Sequence, residues 1–440
     1  MRRAPVAAAL AAAFGSAVAG AAAAPPPWLA PVALSGPAPA LPAAGPVVAT
    51  GRAGDTAVAW LRPLGTSGAD AVEVALRERP SGGFGPPVRL DVRPGRGGGG
   101  GPAVAVQRDG AATVAWVRDG VGRVAIVPPP GEPARPAVEV PAAGPVGAVE
   151  VGVAEGGATV VAWEEAPPGD PAGPTIVRAA TRPPGGGPFA APVTLGPAGS
   201  GEVSLDVGGG GATIVSWLGP EGAVWAALRL QPALVWTAPV RVSAGGGARA
   251  PRGAVGDFGD AVVAWLEDRP MAASHVRLGA GWRPAEPIGP AGALAPRGRL
   301  SVDMAGLGRA IVAWRQGRPL GVWAATRNDP ATVPGRRWHL RRVATGPRNL
   351  GEPSARVAFS GDALVAWSQP DARGAGVRAR VLLTSGRAQP AEAVSRGRGA
   401  RVAPALALGT GGAATAAWTA RAPGGAPVGT VAAGRRRIAP

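Results

Sequence analysis

The sequence predicts an all-β protein made of eight four-stranded antiparallel sheets, and three observations carry that prediction. Trp60, Trp116, Trp163, Trp217, Trp265, Trp314, Trp367 and Trp418 each close a short apolar run (AVAW, TVAW, VVAW, IVSW, VVAW, IVAW, LVAW and TAAW), at spacings of 56, 47, 54, 48, 49, 53 and 51 residues. A period near 50 residues is the mark of a repeat architecture, and about 415 residues are too many for one ordinary core. The Trp-ending runs are also apolar on both faces. Val and Trp lie two apart and share one side, as in Val58/Trp60 and Val263/Trp265, while Ala or another apolar residue holds the other side. A strand with two apolar faces belongs to a sheet covered on both sides.

Each unit resolves into four strands. A first strand such as VVAT (Val47–Thr50), AVAV (Ala103–Val106), SLDV (Ser204–Val207) or SVDM (Ser301–Met304) enters a Gly-rich hairpin turn, for example Arg108-Asp109-Gly110 or Ser360-Gly361-Asp362. The Trp strand follows. A variable polar loop leads to a third strand, seen as VEVALR (Val72–Arg77), VWAALR (Val224–Arg229) and VWAATR (Val322–Arg327). The fourth opens on an aromatic and carries Pro inside it: FGPPVRL from Phe84, FAAPVTL from Phe189, WTAPVRV from Trp236. A sheet tolerates that Pro only at an edge, where it also discourages aggregation, so the fourth strand is the outer one.

Four-stranded units at this period, each needing a neighbour on both faces, predict an eight-bladed β-propeller. WLAPVAL (Trp28–Leu34) matches the outer-strand pattern but precedes any first strand, and the chain ends at Arg437-Ile438-Ala439-Pro440, where an outer strand would begin. The N-terminal strand is therefore expected to complete the last blade and close the ring. Seven blades with one irregular unit is the alternative. Ahead of the ring, Met1-Arg2-Arg3 followed by an Ala-rich run to Ala24 reads as a secretory signal peptide, residues 1–24, leaving 25–440 as the propeller. The expected location is secreted or extracytoplasmic, at the cell envelope. No later segment offers the ~18 uninterrupted apolar residues of a membrane span.

Composition excludes much chemistry. All 45 cations are Arg, and there is no Lys, Cys or Tyr. That removes the phosphate-loop lysine, Schiff-base and thiol chemistry, disulfides, thiolate metal sites and iron–sulfur clusters. Two His, His275 and His339, cannot make a His-rich metal centre and read as exposed surface residues. No metal or other cofactor is expected. The net charge of +17 goes with a composition rich in Ala, Gly, Pro and Arg, as a GC-rich coding sequence produces, and the Arg residues are spread along the chain apart from groups at 336–342 and 435–437. A nucleic-acid partner is not expected, although salt-sensitive adhesion to anionic surfaces is. The Gly95–Gly101 run fits G-x-G-x-x-G but lacks a following helix, so it reads as a connection between blades.

Through the repeated G-x-A-x-V-A-W and W-x-A-P-V-x-L patterns, which cover essentially the whole chain after the leader, the protein resembles secreted bacterial β-propellers of the sialidase-like and WD40-like kind. It departs from both. The sialidase Asp box is not met, Arg108–Thr113 coming nearest, and the WD dipeptide is missing. The resemblance to sialidases implies a Tyr nucleophile with an Arg triad and two carboxylates, and a chain without Tyr cannot supply the nucleophile.

What remains for chemistry is the set of charges after the Trp strands, which a propeller gathers on one face with the connections between blades. Glu164, Glu165, Glu267, Asp268, Arg315 and Asp371 are the candidate ligand-binding residues, none arranged as a catalytic set. Glu164-Glu165 and Glu267-Asp268 have the chemistry for acid/base work or for Ca²⁺. Asp206 and Asp303 share a position eleven residues before their Trp, at the channel lining or the hairpin turn. All 14 Trp fall on repeat positions, and Phe258 and Phe359 sit by first strands, which leaves no spare Trp to stack on a sugar or a base. The function expected is that of an exported non-catalytic propeller, a monomer, acting as a binding or scaffold module for a protein or polysaccharide ligand. The alternative is a carbohydrate-active hydrolase or lyase using the loop carboxylates.

Overall fold

In the computed structural model, the described residues are 28–437 apart from 37–44, 66–67, 80–81, 94–99, 130, 200–201, 232, 278–280, 295–297, 307, 328–337, 347–349, 372–373, 396–403 and 421–429. The expected leader, residues 1–24, lies outside them, as do Arg336, Arg337, Arg373, Arg421 and most of the Gly95–Gly101 run.

Eight separate antiparallel sheets follow one another as blades 1 to 8. Their first strands are Val47–Thr50, Ala103–Val106, Val146–Val153, Val203–Val207, Arg249–Val255, Ser301–Met304, Ser354–Val357 and Ala405–Leu408. The Trp strands are Thr56–Leu64, Ala112–Arg118, Thr159–Glu165, Thr213–Leu218, Ala261–Leu266, Ala310–Gln316, Ala363–Asp371 and Ala413–Ala420. In every sheet the first strand is one edge, followed by the Trp strand and the third strand. The outer strand is the other edge, and Pro breaks it where expected. In blade 4 it splits into Val235–Trp236 and Val240–Arg241 around Pro239, and in blade 5 into Gly281–Trp282 and Glu286–Pro287 around Pro284.

One glycine per blade makes the inner hairpin possible. Gly54, Gly110, Gly157, Gly211, Gly259, Gly308, Gly361 and Gly412, each six residues before its Trp, have φ between 73° and 93°. An L side chain is strained there, so the repeat spends its glycine where the chain reverses.

The Trp residues weld blade to blade. All eight are at most 3% exposed. Each packs on the blade before its own: Trp116 on Leu61 and Val74, Trp265 on Ile214 and Leu228, Trp314 on Val262 and Leu266. Trp60 of blade 1 packs on Ala407 and Ala417 of blade 8, so the succession runs around a circle. The first strands obey the same order, each beside the first strand of the blades before and after it, blade 8 lying next to blade 1. The protein is an eight-bladed β-propeller.

Buried arginines add a second set of ties. Arg77 ends the third strand of blade 1 and donates 2.8 Å hydrogen bonds to Thr56 Oγ1 and, in blade 8, to Thr415 Oγ1. Its guanidinium lies 5.1 Å from the centre of the Phe84 ring that opens the outer strand. Arg327 repeats the device in blade 6, bonding Ser274 Oγ of blade 5 at 2.6 Å and facing Trp338 at 5.2 Å. In blades 1, 3 and 6 the third-strand Arg and fourth-strand aromatic of the sequence repeat thus form one cation–π unit.

Blade 8 takes its fourth strand from the other end of the chain. Val32–Ala33 pairs antiparallel with Thr430–Arg437, Val32 opposite Ala433 and Ala33 opposite Ala432, and Leu34 joins the core around Trp60. If this pairing fastens the ring, removing residues up to Gly36 should lower the thermal midpoint by several degrees and raise the tendency to aggregate, because it bares a sheet edge and part of the Trp60 pocket. Differential scanning calorimetry and light scattering check this. A chain that melts unchanged without the segment has its closure elsewhere.

Candidate functional site

The loops after the Trp strands and the connections between blades share one end of the ring, the loop face. Their backbones bond across neighbouring blades there, as in Ala166 N to Pro145 O at 2.9 Å and Gly199 N to Leu218 O at 2.7 Å. On this face the predicted charges are engaged one by one. Glu165, 1% exposed, accepts the Trp163 indole N–H at 2.9 Å on Oε2 and the Ala143 and Gly144 backbone N–H groups at 2.8 and 3.0 Å on Oε1. Arg178 adds an ion pair at 3.3 Å. Glu164, also buried, accepts from Thr175 Oγ1. Glu267 accepts the Trp265 indole N–H at 2.6 Å. Asp268 is exposed and paired only with its neighbour Arg269 at 2.9 Å, whose guanidinium holds that carboxyl below the usual carboxylate range. Arg315 reaches Leu350 O and the Glu352 carboxylate in the connection to blade 7. Asp371 ends the Trp strand of blade 7 with its backbone opposite Gly374, and its side chain lies outside the described residues.

The reason for these engagements is local. A residue two beyond the Trp shares its face of the strand, so an acid or amide there folds back onto the indole N–H. Gln316 and Gln369 do the same for Trp314 and Trp367 at 2.9 and 3.0 Å. The W-x-E/Q spacing was the legible signal for this role. Blades 2 and 4 answer otherwise, with Trp116 donating to Asp91 Oδ2 at 2.8 Å and Trp217 to Pro197 O at 3.0 Å, both on the preceding blade's outer strand. Glu165→Gln keeps an acceptor for the indole and is expected to cost far less than Glu165→Ala, which strands the buried indole N–H at roughly 1–3 kcal/mol and releases the two less buried backbone donors as well. Urea unfolding curves of the two variants measure the difference, and equal losses would remove the carboxylate from the indole's account.

No described pair of loop-face candidates is brought together, and no group of three metal-ligating side chains occurs among the described residues. The charges that do converge lie inside the ring. Paired register places two positions of every first strand on one face, thirteen and eleven residues before the Trp. At the first position, blades 3 to 7 carry Glu150, Ser204, Arg252, Ser301 and Ser354, and at the second, blades 4, 6 and 7 carry Asp206, Asp303 and Arg356. Blades 8, 1 and 2 carry only Ala405 and Ala407, Val47 and Ala49, Ala103 and Ala105. The channel lining is therefore polar along one arc and bare along the other.

Part of that arc serves the fold. A first strand is an open edge whose outward N–H groups need acceptors. Asp206 Oδ2 accepts from Val255 N of the next blade at 2.8 Å, and Asp303 Oδ2 from Val357 N at 2.7 Å. Ser301 Oγ accepts from Ala355 N at 2.9 Å and Ser354 Oγ from Leu406 N at 3.1 Å. The aspartates thus sit at the lining, not at the hairpin turn.

Their electrostatics are unusual. Burial lifts the Asp206 carboxyl to about 6, the nearby Asp303 charge adding to the lift while the Val255 N–H and Arg356 oppose it. Burial also raises Asp303 and Glu150, against Arg356 and Arg252 respectively. Because the folded Asp206 binds its proton more tightly than the ordinary value of 3.8, its contribution to stability is full below that value and is lost as pH rises through about 6. Asp206→Asn keeps the oxygen that caps Val255 and drops the charge. Its thermal midpoint should exceed that of the parent at pH 8 and converge with it near pH 4; a gap independent of pH would contradict a raised carboxyl.

Two sequence expectations need correction. His275 is half-buried rather than exposed, edge-on to Trp282 with ring centres 5.6 Å apart, and burial lowers its pKa. His339 is exposed as expected. The Phe residues beside the first strands are not packed away: Phe258 and Phe359 are 51% and 58% exposed at hairpin turns.

No protein-family model matches this chain, and no curated protein is similar to it in sequence. Among solved structures, the chain is similar to Sqt1 from Chaetomium thermophilum, solved bound to the N-terminus of the ribosomal protein L10, at 12% identity and a TM-score of 0.50 over 90% of this chain and 98% of that one. It is more loosely similar to the WD40 domain of SCAP from fission yeast (10% identity, TM-score 0.48, 91% and 97% covered) and to the NanB sialidase of Streptococcus pneumoniae (9%, 0.39, 93% and 94%). At such identities the likeness is one of fold alone.

Proposed function

We propose that this protein is an exported, non-catalytic propeller that acts as a binding or scaffold module for an extracellular or cell-envelope ligand, protein or polysaccharide. The observation that carries this reading is the commitment of the loop-face carboxylates. Glu165 and Glu267 hold indole N–H groups, Glu164 a threonine hydroxyl, and Asp268 its neighbouring arginine. General acid/base catalysis needs two groups on one substrate with separated proton affinities, and these four serve their own blades. Export rests on the basic, Ala-rich leader of residues 1–24. That Sqt1, with a similar fold, was solved on a polypeptide N-terminus supports a peptide or protein among the ligand classes.

The test is to offer the purified protein a panel of envelope polysaccharides, peptidoglycan fragments and peptides, following retention by biolayer interferometry and products by mass spectrometry. Saturable retention without any product is the expected result. Turnover of a glycan that Asp268→Ala abolishes while the fold survives would overturn the reading in favour of a carbohydrate-active enzyme. Fractionation of the producing cells should find the protein outside the cytoplasm, and a leaderless version inside it.

A further inference from the structure

The channel arc contains more charge than edge capping uses. Going round the ring from blade 3 to blade 7, Glu150, Asp206, Arg252, Asp303 and Arg356 give the order negative, negative, positive, negative, positive, all partly exposed. The two guanidiniums each spend one N–H on a neighbouring backbone carbonyl, Arg252 on Pro251 O and Arg356 on Ala355 O, both at 2.9 Å. Neither makes a direct ion pair with these carboxylates, although each is close enough to bias their protonation. Asp206 and Asp303 commit one oxygen, Oδ2, to the next blade's N–H. Opposite charges thus follow one another round the arc without pairing directly, each with hydrogen-bonding capacity in hand, where low dielectric makes a bridging ligand's charges count for more. The facing arc carries no charged side chain, and Val47, Ala49, Ala105 and Ala405 are partly exposed there, which suits an aliphatic group.

The far end of the channel is narrowed by the hairpin turns. Thr410 Oγ1 of blade 8 bonds Arg52 O of blade 1 at 2.8 Å, and Arg52 forms an ion pair with Glu155 of blade 3. Glu155 N reaches Gly209 O at 3.0 Å, and Gly209 N reaches Asp257 Oδ1 at 2.8 Å. Gly306 of blade 6 continues the collar: a Cβ there would lie 3.1 Å from Asp257 Oδ2 and 3.3 Å from the Phe359 ring. The turns of blades 8, 1, 3, 4, 5, 6 and 7 are therefore linked, seven in all, in one chain of contacts at that end, which leaves the loop face as the way in.

From this juxtaposition we propose that the channel arc is a binding site for a small zwitterion with an aliphatic side chain, the chemistry of a free aliphatic amino acid. Its carboxylate meets Arg252 and Arg356, its ammonium meets Asp206 and Asp303, and its side chain lies on the bare arc. The proposal rests on the binding-module reading and names a ligand class for it.

Isothermal titration with L-leucine, L-isoleucine and L-valine, beside N-acetyl-L-leucine and L-leucinamide, tests it. The free amino acids should bind, and blocking either end should weaken binding by about tenfold or more, the scale of one lost charge-assisted bond. Arg356→Gln should remove the penalty for losing the carboxylate while leaving that for losing the ammonium, and Asp303→Asn, which retains an oxygen for Val357, should do the reverse. Circular dichroism and a cooperative melting transition certify that each variant is folded. Absence of heat with all three amino acids, or equal affinity for the blocked compounds, overturns the site. Retention of an envelope polymer that Arg356→Gln leaves unaltered would also overturn it, while leaving the binding-module reading in place. Turnover of a ligand would instead strike at that reading.

Discussion

Burying an indole between two sheets sets the terms for the rest of this molecule. The apolar body of each Trp gains from leaving water, and a side chain of this kind buries roughly 150–250 Å², but its N–H enters the same dry interface and must find an acceptor there. Four blades supply it from the same strand, through Glu165, Glu267, Gln316 and Gln369. Two supply it from the outer strand of the blade before, through Asp91 and the carbonyl of Pro197, and so convert a polar debt into a tie between blades. In blade 1 the residue two beyond Trp60 is Arg62, which cannot accept; it turns to Glu73 at 2.9 Å, and the Trp60 N–H is left buried without a partner. The loop-face acids are thereby drawn into structure before any ligand arrives.

How much of this was legible in the chain depends on whether a feature repeats. The blade count and strand order could be read because the Trp, the left-handed glycine and the outer-strand Pro recur in fixed order, and because an apolar strand with two faces demands two neighbours. The acceptor role of Glu165 and Glu267 was equally on the page as W-x-E/Q, with Gln316 and Gln369 as its neutral members. A pair of adjacent acids nevertheless suggested chemistry more readily than an indole partner. The Asp91–Trp116 contact had no such signature, since it joins a non-repeating outer-strand position to the next blade. The alignment of Asp206 with Asp303 was visible, yet Arg356 at the same offset was not set beside them. Pairing in blades 4, 6 and 7 puts these three residues opposite Ile214, Ile311 and Leu364, which are equivalent positions of the Trp strands.

The inner edge poses the same accounting problem as the indoles, with a different answer. Eight first strands turn unpaired N–H groups toward the axis, and side chains of one blade reach to cap the next: Glu202 to Ala250 N at 2.6 Å, Asp206 to Val255 N and Asp303 to Val357 N. Burying Asp206 and Asp303 has a cost, which appears as their raised proton affinity. Arg356 offsets part of it from a distance, without the short contacts that would use up both partners.

Closure alone does not demand this arrangement. At eleven residues before the Trp, blades 1, 2, 5 and 8 have Ala49, Ala105, Ala254 and Ala407, and blade 3 has Gly152, so a small residue is compatible with a closed ring in five positions of eight. Serine at thirteen caps an edge N–H as well, as Ser301 and Ser354 do, without a buried charge. The three charged residues at the deeper position therefore exceed what edge satisfaction needs, and they occur together in blades 4 to 7 instead of being scattered round the circle. A scaffold that carries such a cost on one arc only, while its other arc stays bare, has a lining with a distinct head side and tail side. That polarity is what an amphipathic small molecule entering from the loop face would meet.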